Sequence, residues 1–340
     1  MDSLSQIVLG GALAAAIAPA AHRRAALLAG AALGTLPDLD GIPLALLFDD
    51  PVMRMTWHRS ISHSLFVLPF VATLIWWLYK RRGGRVAASP VRWFFAMQLA
   101  LLTHPLLDAF TVYGTQLWWP LTPPPTMWSS VFIIDPLYTL WLSIACVVAW
   151  RARERAVAQR ALVAGLVLST AYLGWSLVAK ARVDRAADEA LAAIGLQDAP
   201  RFSVPMPFNT LLWRVVAMTP DGYVEGERSL VADRGPMRFR AYTSDVVALR
   251  AVADYDAVAR LRWFNHGFMK AQERDGTLIV SDLRMGFEPD YIFNFVVARR
   301  NSPDWREIPP QQQQWPWNAA GRLREMWVRI WNEPQSDGAP

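Results

Sequence analysis

Two stretches of the chain concentrate side chains that can hold a divalent cation. The first joins Leu36-Pro37-Asp38-Leu39-Asp40-Gly41 to Trp57-His58-Arg59-Ser60-Ile61-Ser62-His63-Ser64, and the second is His104-Pro105-Leu106-Leu107-Asp108. Three of the five histidines fall in them. Both stretches border apolar runs, and an ionisable group beside hydrocarbon is by default a functional candidate with a partner to be found. Asp38 and Asp40 flank Leu39 in a turn after Pro37, so an Asp-x-Asp can offer two oxygens to one hard cation. Alone, the same pattern also reads as a helix cap with a solvated turn. His58 and His63 are five positions apart and reach one centre if a loop bends between them. Each imidazole could equally be a satisfied polar contact in a helix bundle.

His104 and Asp108 stand at i and i+4, on one face of a helix. Either both coordinate, or Asp108 orients His104 from behind. Pro105 between them interrupts the helical ladder, as happens where a span opens onto a cavity. Arg59 beside His58 suits phosphate oxygens, or pairs with Asp40 and holds the loop. The chemistry expected of such a set is attack by a metal-activated water on a phosphorus or carbonyl centre polarised by the same ion. Asp40 or Asp108 would take the proton, and Arg59 would steady the developing negative charge. Mixed imidazole and carboxylate ligation suits zinc, or manganese or iron in an octahedral site, with one or two ions.

The elements that carry these residues read as membrane helices. A chain of 340 residues with 53% hydrophobic content and 17 Trp is that of an integral membrane protein. Its single cysteine, Cys146, excludes an intrachain disulfide and a thiolate cluster. The net charge of +5 sits in short blocks between apolar runs, which orientation in a membrane explains better than nucleic acid. Apolar runs at 4–21, 25–36, 65–79, 93–110, 131–150 and 161–179 give five to six transmembrane helices, the second breaking near Pro37 and resuming at 42–48. The charges follow the first run, so it reads as an uncleaved span and not as a signal peptide. Basic blocks at 22–24, 80–85 and 151–160 follow spans one, three and five, which puts them in the cytoplasm. In that topology Asp2, Asp38, Asp40, His58, His63, His104, Asp108 and Asp135 all fall on the outer side. The Trp- and Pro-rich segment 116–128 is either an interfacial anchor or a lid over the site.

Beyond residue 179 the pattern changes. A charged, Ala-rich helix at 180–193 ends at Gly195, and short aromatic and β-branched runs follow at 201–204, 210–219, 223–230, 237–242, 261–270, 277–283 and 292–299. Asp221-Gly222 and Asp275-Gly276 are hairpin signals. Residues 244–258 read as a helix, 309–316 as a loop, and 319–331 as an amphipathic helix that packs on the sheet or lies on the membrane. The expected organisation is a transmembrane metal-site domain over 1–179 and a small α+β extracytoplasmic domain, mostly antiparallel, over 180–340. The second domain offers little chemistry: His266 is a lone imidazole, and Asp282 and Arg284 suggest an internal ion pair. It serves as a cap over the membrane site or as an independent binding module.

Four motifs together carry a family resemblance: Met1-Asp2-Ser3-Leu4-Ser5-Gln6, Leu36-Pro37-Asp38-Leu39-Asp40, His58-Arg59-Ser60-Ile61-Ser62-His63-Ser64, and the run from His104 to Gly114. In order and combination they resemble the signatures of the membrane-bound metal-dependent hydrolase family, the YdjM-like inner-membrane proteins, over roughly the first 140 residues. The resemblance implies a multi-pass bacterial inner-membrane protein. It makes Asp38, His58, His63, His104 and Asp108 metal-site residues, with Asp2, Asp40 and Asp135 as further ligands or supports. Many members carry His where this chain has Gln6. The motif is also similar to that of zinc-dependent phospholipases C, which implies a phosphoester in a lipid or lipid-linked substrate. Two classes follow: a membrane metallohydrolase, or a non-catalytic membrane protein with a structural metal clip or an ion or proton relay. A nuclease ranks third, because no stacked basic-aromatic groove is visible and an outward-facing site lacks a nucleic-acid substrate.

Overall fold

The structure is a computed structural model that describes residues 1–313 and 319–334. Its first compact unit comprises residues 1–49, 54–128 and 133–175, and its second comprises 50–53, 129–132 and 176 onward. The division falls close to the change in sequence pattern at residue 179.

The first unit is helical. Helix α1 (Ser3–Ile17) begins where the Asp2 carboxylate caps the Ser5 amide. After a 3-10 turn at Ala20–His22 the chain returns as α2 (Arg23–Thr35), then as a 3-10 turn over Leu36–Asp40 and α3 (Gly41–Leu47). Helices α4 (Pro51–Trp57), α5 (Leu68–Arg81), α6 (Gly84–Ala88), α7 (Pro90–Ala109) and α8 (Pro136–Ala152) follow. The contacts of α1 with α2, α7 and α8 make a bundle of alternating direction. Gly10 on α1 and Gly30 on α2 let two backbones touch: a Cβ added at either would strike the carbonyl of the other.

Chain direction in that bundle sorts the charges. Helices α2 and α7 end, and α1 and α8 begin, at the end that holds Asp38, Asp108, Asp2 and Asp135. At the opposite end Arg23 donates to the carbonyl of Arg153 and to Gln159 Oε1 at 2.8 Å, and Arg24 donates to the carbonyl of Trp150 at 2.8 Å. Asp2, Asp38, Asp108 and Asp135 thus lie at the end of the bundle opposite Arg23 and Arg24.

The expected count of five to six spans is not carried. Two helical stretches among the described residues are long and apolar enough to cross a bilayer, Ala20–Leu47 and Ala156–Ala193, and a third arises if the pair Pro51–His63 and Leu68–Arg81, bent by 56°, is one span. The reasons are physical. The 15 residues of α1 extend only about 22 Å, short of a hydrocarbon core about 30 Å thick. In α7 the polar Gln98, His104 and Asp108 interrupt the apolar run.

The second unit is built on two antiparallel four-stranded sheets. The first runs β1 (Arg201–Pro205), β2 (Leu212–Thr219), β3 (Gly222–Ser229) and β4 (Phe239–Thr243) in sequence order. Ala179, Val183, Ala187 and Ala190, one face of helix α9 (Ala156–Ala193), pack on Trp213 and Val215 of β2 and on Met237. Two short helices, α10 (Val246–Ala251) and α11 (Asp256–Phe264), lead to β5 (Met269–Arg274) and β6 (Thr277–Asp282). A small hairpin of β7 (Gly286–Phe287) and β8 (Asp290–Tyr291) precedes β9 (Asn294–Asn301) and β10 (Asp304–Gln313), and the second sheet has the order β10, β9, β6, β5. The Asp275-Gly276 turn has both residues at positive φ, 49° and 69°, as the tight hairpin signal requires. Helix α12 (Ala319–Trp331) closes the described chain.

Three local expectations differ. The helix expected over 244–258 is two helices, α10 and α11. The strand expected over 261–270 starts only at Met269, because α11 runs to Phe264 and buries Leu261 and Phe264. The loop expected over 309–316 is strand β10 as far as Gln313, where Gln311 to Gln313 pair with Val296 to Asn294 after a register shift. The remainder of that loop lies outside the described residues.

Candidate metal centre

Four side chains from three separated segments meet at the acidic end of the bundle. Asp38 comes from the 3-10 turn after α2, His63 from a 3-10 turn at Ile61–His63, and His104 and Asp108 from the last turns of α7. One donor atom from each lies within 4.8 Å of all the others. Five of the six separations are short: His63 Nε2 to His104 Nε2 3.1 Å, His63 Nε2 to Asp38 Oδ1 3.5 Å and to Asp108 Oδ2 3.1 Å, and His104 Nε2 to those two oxygens 3.4 Å each. Four ligands held tetrahedrally at about 2.0–2.1 Å from one ion are about 3.3–3.4 Å apart, so five of the six edges match a zinc-sized tetrahedron.

The protons point the same way. His104 Nδ1 is 2.6 Å from the carbonyl of Gly34, which can only accept, so this nitrogen carries the hydrogen. On His63, Nδ1 lies 2.9 Å from Ser62 Oγ, whose own hydrogen goes to the Asp40 carboxylate, so Nδ1 donates here as well. In their neutral forms, with Nδ1 carrying the hydrogen, both rings turn an Nε2 lone pair toward the centre. There they face Asp38 Oδ1 and Asp108 Oδ2, buried oxygens that make no hydrogen bond among the described residues. Acceptors crowded into this volume repel one another, and a cation among them would offset that repulsion beyond what Arg59 beside Asp108 supplies.

Around the four sits a ring of supports. Asp108 Oδ1 accepts from Gln6 Nε2 at 3.0 Å and from the α-amino group of Met1, while Arg59 Nε stands 3.2 Å from Asp108 Oδ2. Arg59 Nη1 donates to Thr111 Oγ1 at 3.3 Å, and its guanidinium lies over the Tyr113 ring. The backbone of Arg59 is left-handed, with φ 65°. For a non-glycine this costs on the order of 1–3 kcal/mol and persists only where the surroundings impose it. Asp40 Oδ2 accepts from its amide at 3.2 Å, and its carbonyl accepts from Gln116 at 2.9 Å.

Asp40 and His58 are not among the four. Asp40 Oδ1 is 2.7 Å from His58 Nδ1, and the same carboxylate accepts from Ser62. One acid thereby orients His58, the Arg59 backbone and the Ser62 hydroxyl behind His63. The centre is covered but not sealed: His63, His104 and Asp108 are fully buried, whereas the Asp38 and His58 side chains are 20% and 28% exposed. Asp2 and Asp135 work as helix caps. Asp2 holds the Ser5 amide and hydroxyl, and Asp135 holds the amides of Leu137 and Tyr138 and the hydroxyl of Tyr172.

The segment 111–128 is laced to the histidine loop. Tyr113 donates to the carbonyl of Met55 and Gln116 to that of Thr56, and Ser64 donates to the carbonyl of Trp119 at 2.6 Å. Trp118, Leu121 and Trp128 on it stay exposed. Sequence reasoning weighs Gln6 as a ligand, and the structure gives it to Asp108 as a hydrogen-bond donor; it misses Ser62, because a serine in a Ser-rich loop gives no signal.

A family model described as YdjM inner membrane protein matches residues 1–183, which contain all four donors. No curated protein matches, and neither does any solved structure.

Proposed function

The chain belongs to the YdjM inner membrane protein family, and on that premise we propose that it is a membrane-embedded, multi-pass metal-dependent hydrolase. Its substrate class is a phosphoester or ester in a lipid or lipid-linked molecule. The observation that carries the reading is the convergence of two imidazole Nε2 atoms and two carboxylate oxygens without hydrogen bonds, with five of their six separations at 3.1–3.5 Å. With nitrogen and oxygen donors and no thiolate near tetrahedral spacing, zinc is the best fit, and manganese and iron are the alternatives. The centre lies at the end of the bundle opposite the Arg23, Arg24 and Arg153 cluster. The positive-inside tendency sets that cluster in the cytoplasm and turns the site to the exterior.

When bound, a divalent cation supplies Lewis acidity toward a phosphoryl or carbonyl oxygen and acidifies water. The residues divide the remaining work. Asp38, His63, His104 and Asp108 would hold the ion, with Ser62 and the Gly34 carbonyl fixing Nδ1–H on the two rings so that Nε2 is the ligating atom. His58, held by Asp40 through Nδ1, presents Nε2 as proton acceptor at the part-exposed side, in the arrangement by which a carboxylate orients a catalytic imidazole. Asp40 is a positioning residue in this scheme. Arg59 neutralises Asp108 and stands where negative charge would develop.

A second reading has an observation of its own. A site with four protein ligands is the hallmark of structural zinc, while catalytic sites keep a position open. His58 separates the two. We expect purified protein in detergent to carry stoichiometric metal that His104→Ala abolishes, and His58→Asn to keep the metal but lose hydrolysis of a lipid phosphoester panel. Metal retained with no hydrolysis in wild type, or full hydrolysis in His58→Asn, would favour the clip or another base respectively.

A further inference from the structure

Helix α12 presents three faces, and one of them has no partner among the described residues. At about 100° per residue, Leu323, Met326 and Ile330 form one stripe. Ile330 is buried and Met326 packs with it against Met206, Leu212 and Phe287, so this stripe belongs to the first sheet and its neighbours. Arg322 and Arg329 lie on a second side and are engaged: Arg322 with Asp290 at 3.1 Å, and Arg329 with Asp233 at 2.6 Å and Glu227 at 3.3 Å. Arg324, Trp327, Val328 and Trp331 share a third arc about 100° wide. Trp327 is 61% exposed, Val328 52% and Trp331 53%, and the two indoles touch edge to face at 5.8 Å. A soluble surface rarely leaves two adjacent indoles in water.

We propose that this third face is a bilayer-docking surface, with Trp327, Val328 and Trp331 seated among phospholipid headgroups and Arg324 meeting their phosphates. Tryptophan is the residue of the membrane interface, because its ring is apolar and its N–H needs a polar partner. A one-sided helix with aromatic residues and arginine, lacking an apolar span of its own, is the pattern of helices that lie in that plane. Glu325, the exposed acid of the helix, lies outside the arc. Within its own unit, Met326 contacts Asn209, and the adjacent Phe208 is exposed on the same loop. The proposal rests on membership of a membrane-protein family and is independent of any hydrolytic activity.

The test uses the full chain with Cys146→Ala, reconstituted in phosphatidylethanolamine and phosphatidylglycerol vesicles. Nitroxide labels are placed singly at Trp327→Cys, Val328→Cys and Trp331→Cys, with Asp275→Cys in the β5–β6 hairpin as the aqueous reference. Expected is loss of relaxation by an aqueous nickel chelate at 327, 328 and 331 together with a gain in relaxation by oxygen, and partial return toward the Asp275→Cys values when Arg324→Glu is added. Labels at those sites as open to nickel as the reference would overturn the proposal. So would shielding that comes with spin–spin broadening and disappears on dilution with unlabelled chain, which would assign the face to a second copy. Val328→Cys retains both indoles and covers the case in which a Trp replacement disturbs the helix.

Discussion

Removing one hydroxyl tests the logic of the metal centre more sharply than removing a ligand. Ser62 touches neither the proposed ion nor its carboxylates. Its Oγ accepts from His63 Nδ1 at 2.9 Å and passes its own hydrogen to Asp40. In Ser62→Ala the His63 ring loses the bond that fixes its tautomer, and the Nδ1 hydrogen can migrate to Nε2 and point into the centre. Partners of this kind are worth about 10–100-fold in metal affinity, or about 1.4–2.8 kcal/mol. Ser64→Ala is the matched control. It deletes the bond to the Trp119 carbonyl and the acceptor of the Phe66 and Val67 amides, two residues along the same loop, and leaves both imidazoles untouched. Competition for zinc against a chromophoric chelator in detergent should show the 10–100-fold loss for Ser62→Ala and little change for Ser64→Ala. Thermal melts with and without chelator should show the metal-dependent increment shrinking in the first variant only. Equal zinc affinity in wild type and Ser62→Ala would refute the argument that two oriented Nε2 lone pairs hold the ion.

Other outcomes follow from the same contacts. Gly30→Leu drives a side chain into the α1 backbone and should lower the melting transition, with a destabilisation of at least about 1–3 kcal/mol from overpacking; an unchanged melt would show that α1 and α2 do not pack as described. In the second unit Arg284 forks onto Asp282 at 2.7 Å with both side chains buried, so Arg284→Met should cost about 3–5 kcal/mol in chemical denaturation by leaving a buried charge. Adding Asp282→Asn should recover part of that loss, and no recovery would deny the pairing. Burial, with the neighbouring Tyr291 hydroxyl at 3.1 Å, pushes the Tyr223 phenol above its ordinary range. The unfolded phenol titrates near about pH 10, so the contribution of Tyr223 is present in full below that pH. It is lost as pH rises further, because the unfolded chain releases its proton first. Denaturation midpoints that fall less steeply above about pH 10 in Tyr223→Phe than in wild type would check the sign.

How much of this was legible in the sequence depends on whether local spacing or chain direction carries the information. His104 and Asp108 could be placed on one face because i and i+4 are neighbours on any α-helix. Their meeting with His63 and Asp38 is non-local. It is readable through the family resemblance and through the alternation of basic and acidic ends from one apolar run to the next, which survives as Asp2, Asp38, Asp108 and Asp135 at the end opposite Arg23 and Arg24 even though fewer spans qualify. That number was overcounted because composition registers apolar character but not the length and breaks of helices, which a 15-residue α1 and the bend before Leu68 make plain. The assignment of Asp2 and Asp135 shows a related ambiguity: an acid before an apolar run satisfies a ligand pattern and a capping pattern alike, and the two differ only in which amide lies nearby. Strands in the second unit were legible where turn residues bracketed them, as around Asp275-Gly276. They failed at 261–270, where burial of Leu261 and Phe264 on one side of α11 has the helical period of three and tertiary packing decides the outcome. The two alternatives left for α12, the sheet or the membrane, were framed as exclusive only because a sequence shows one apolar moment. The helix in fact carries two apolar stripes about 100° apart. The sheet takes Met326 and Ile330, and Trp327 and Trp331 are left facing outward.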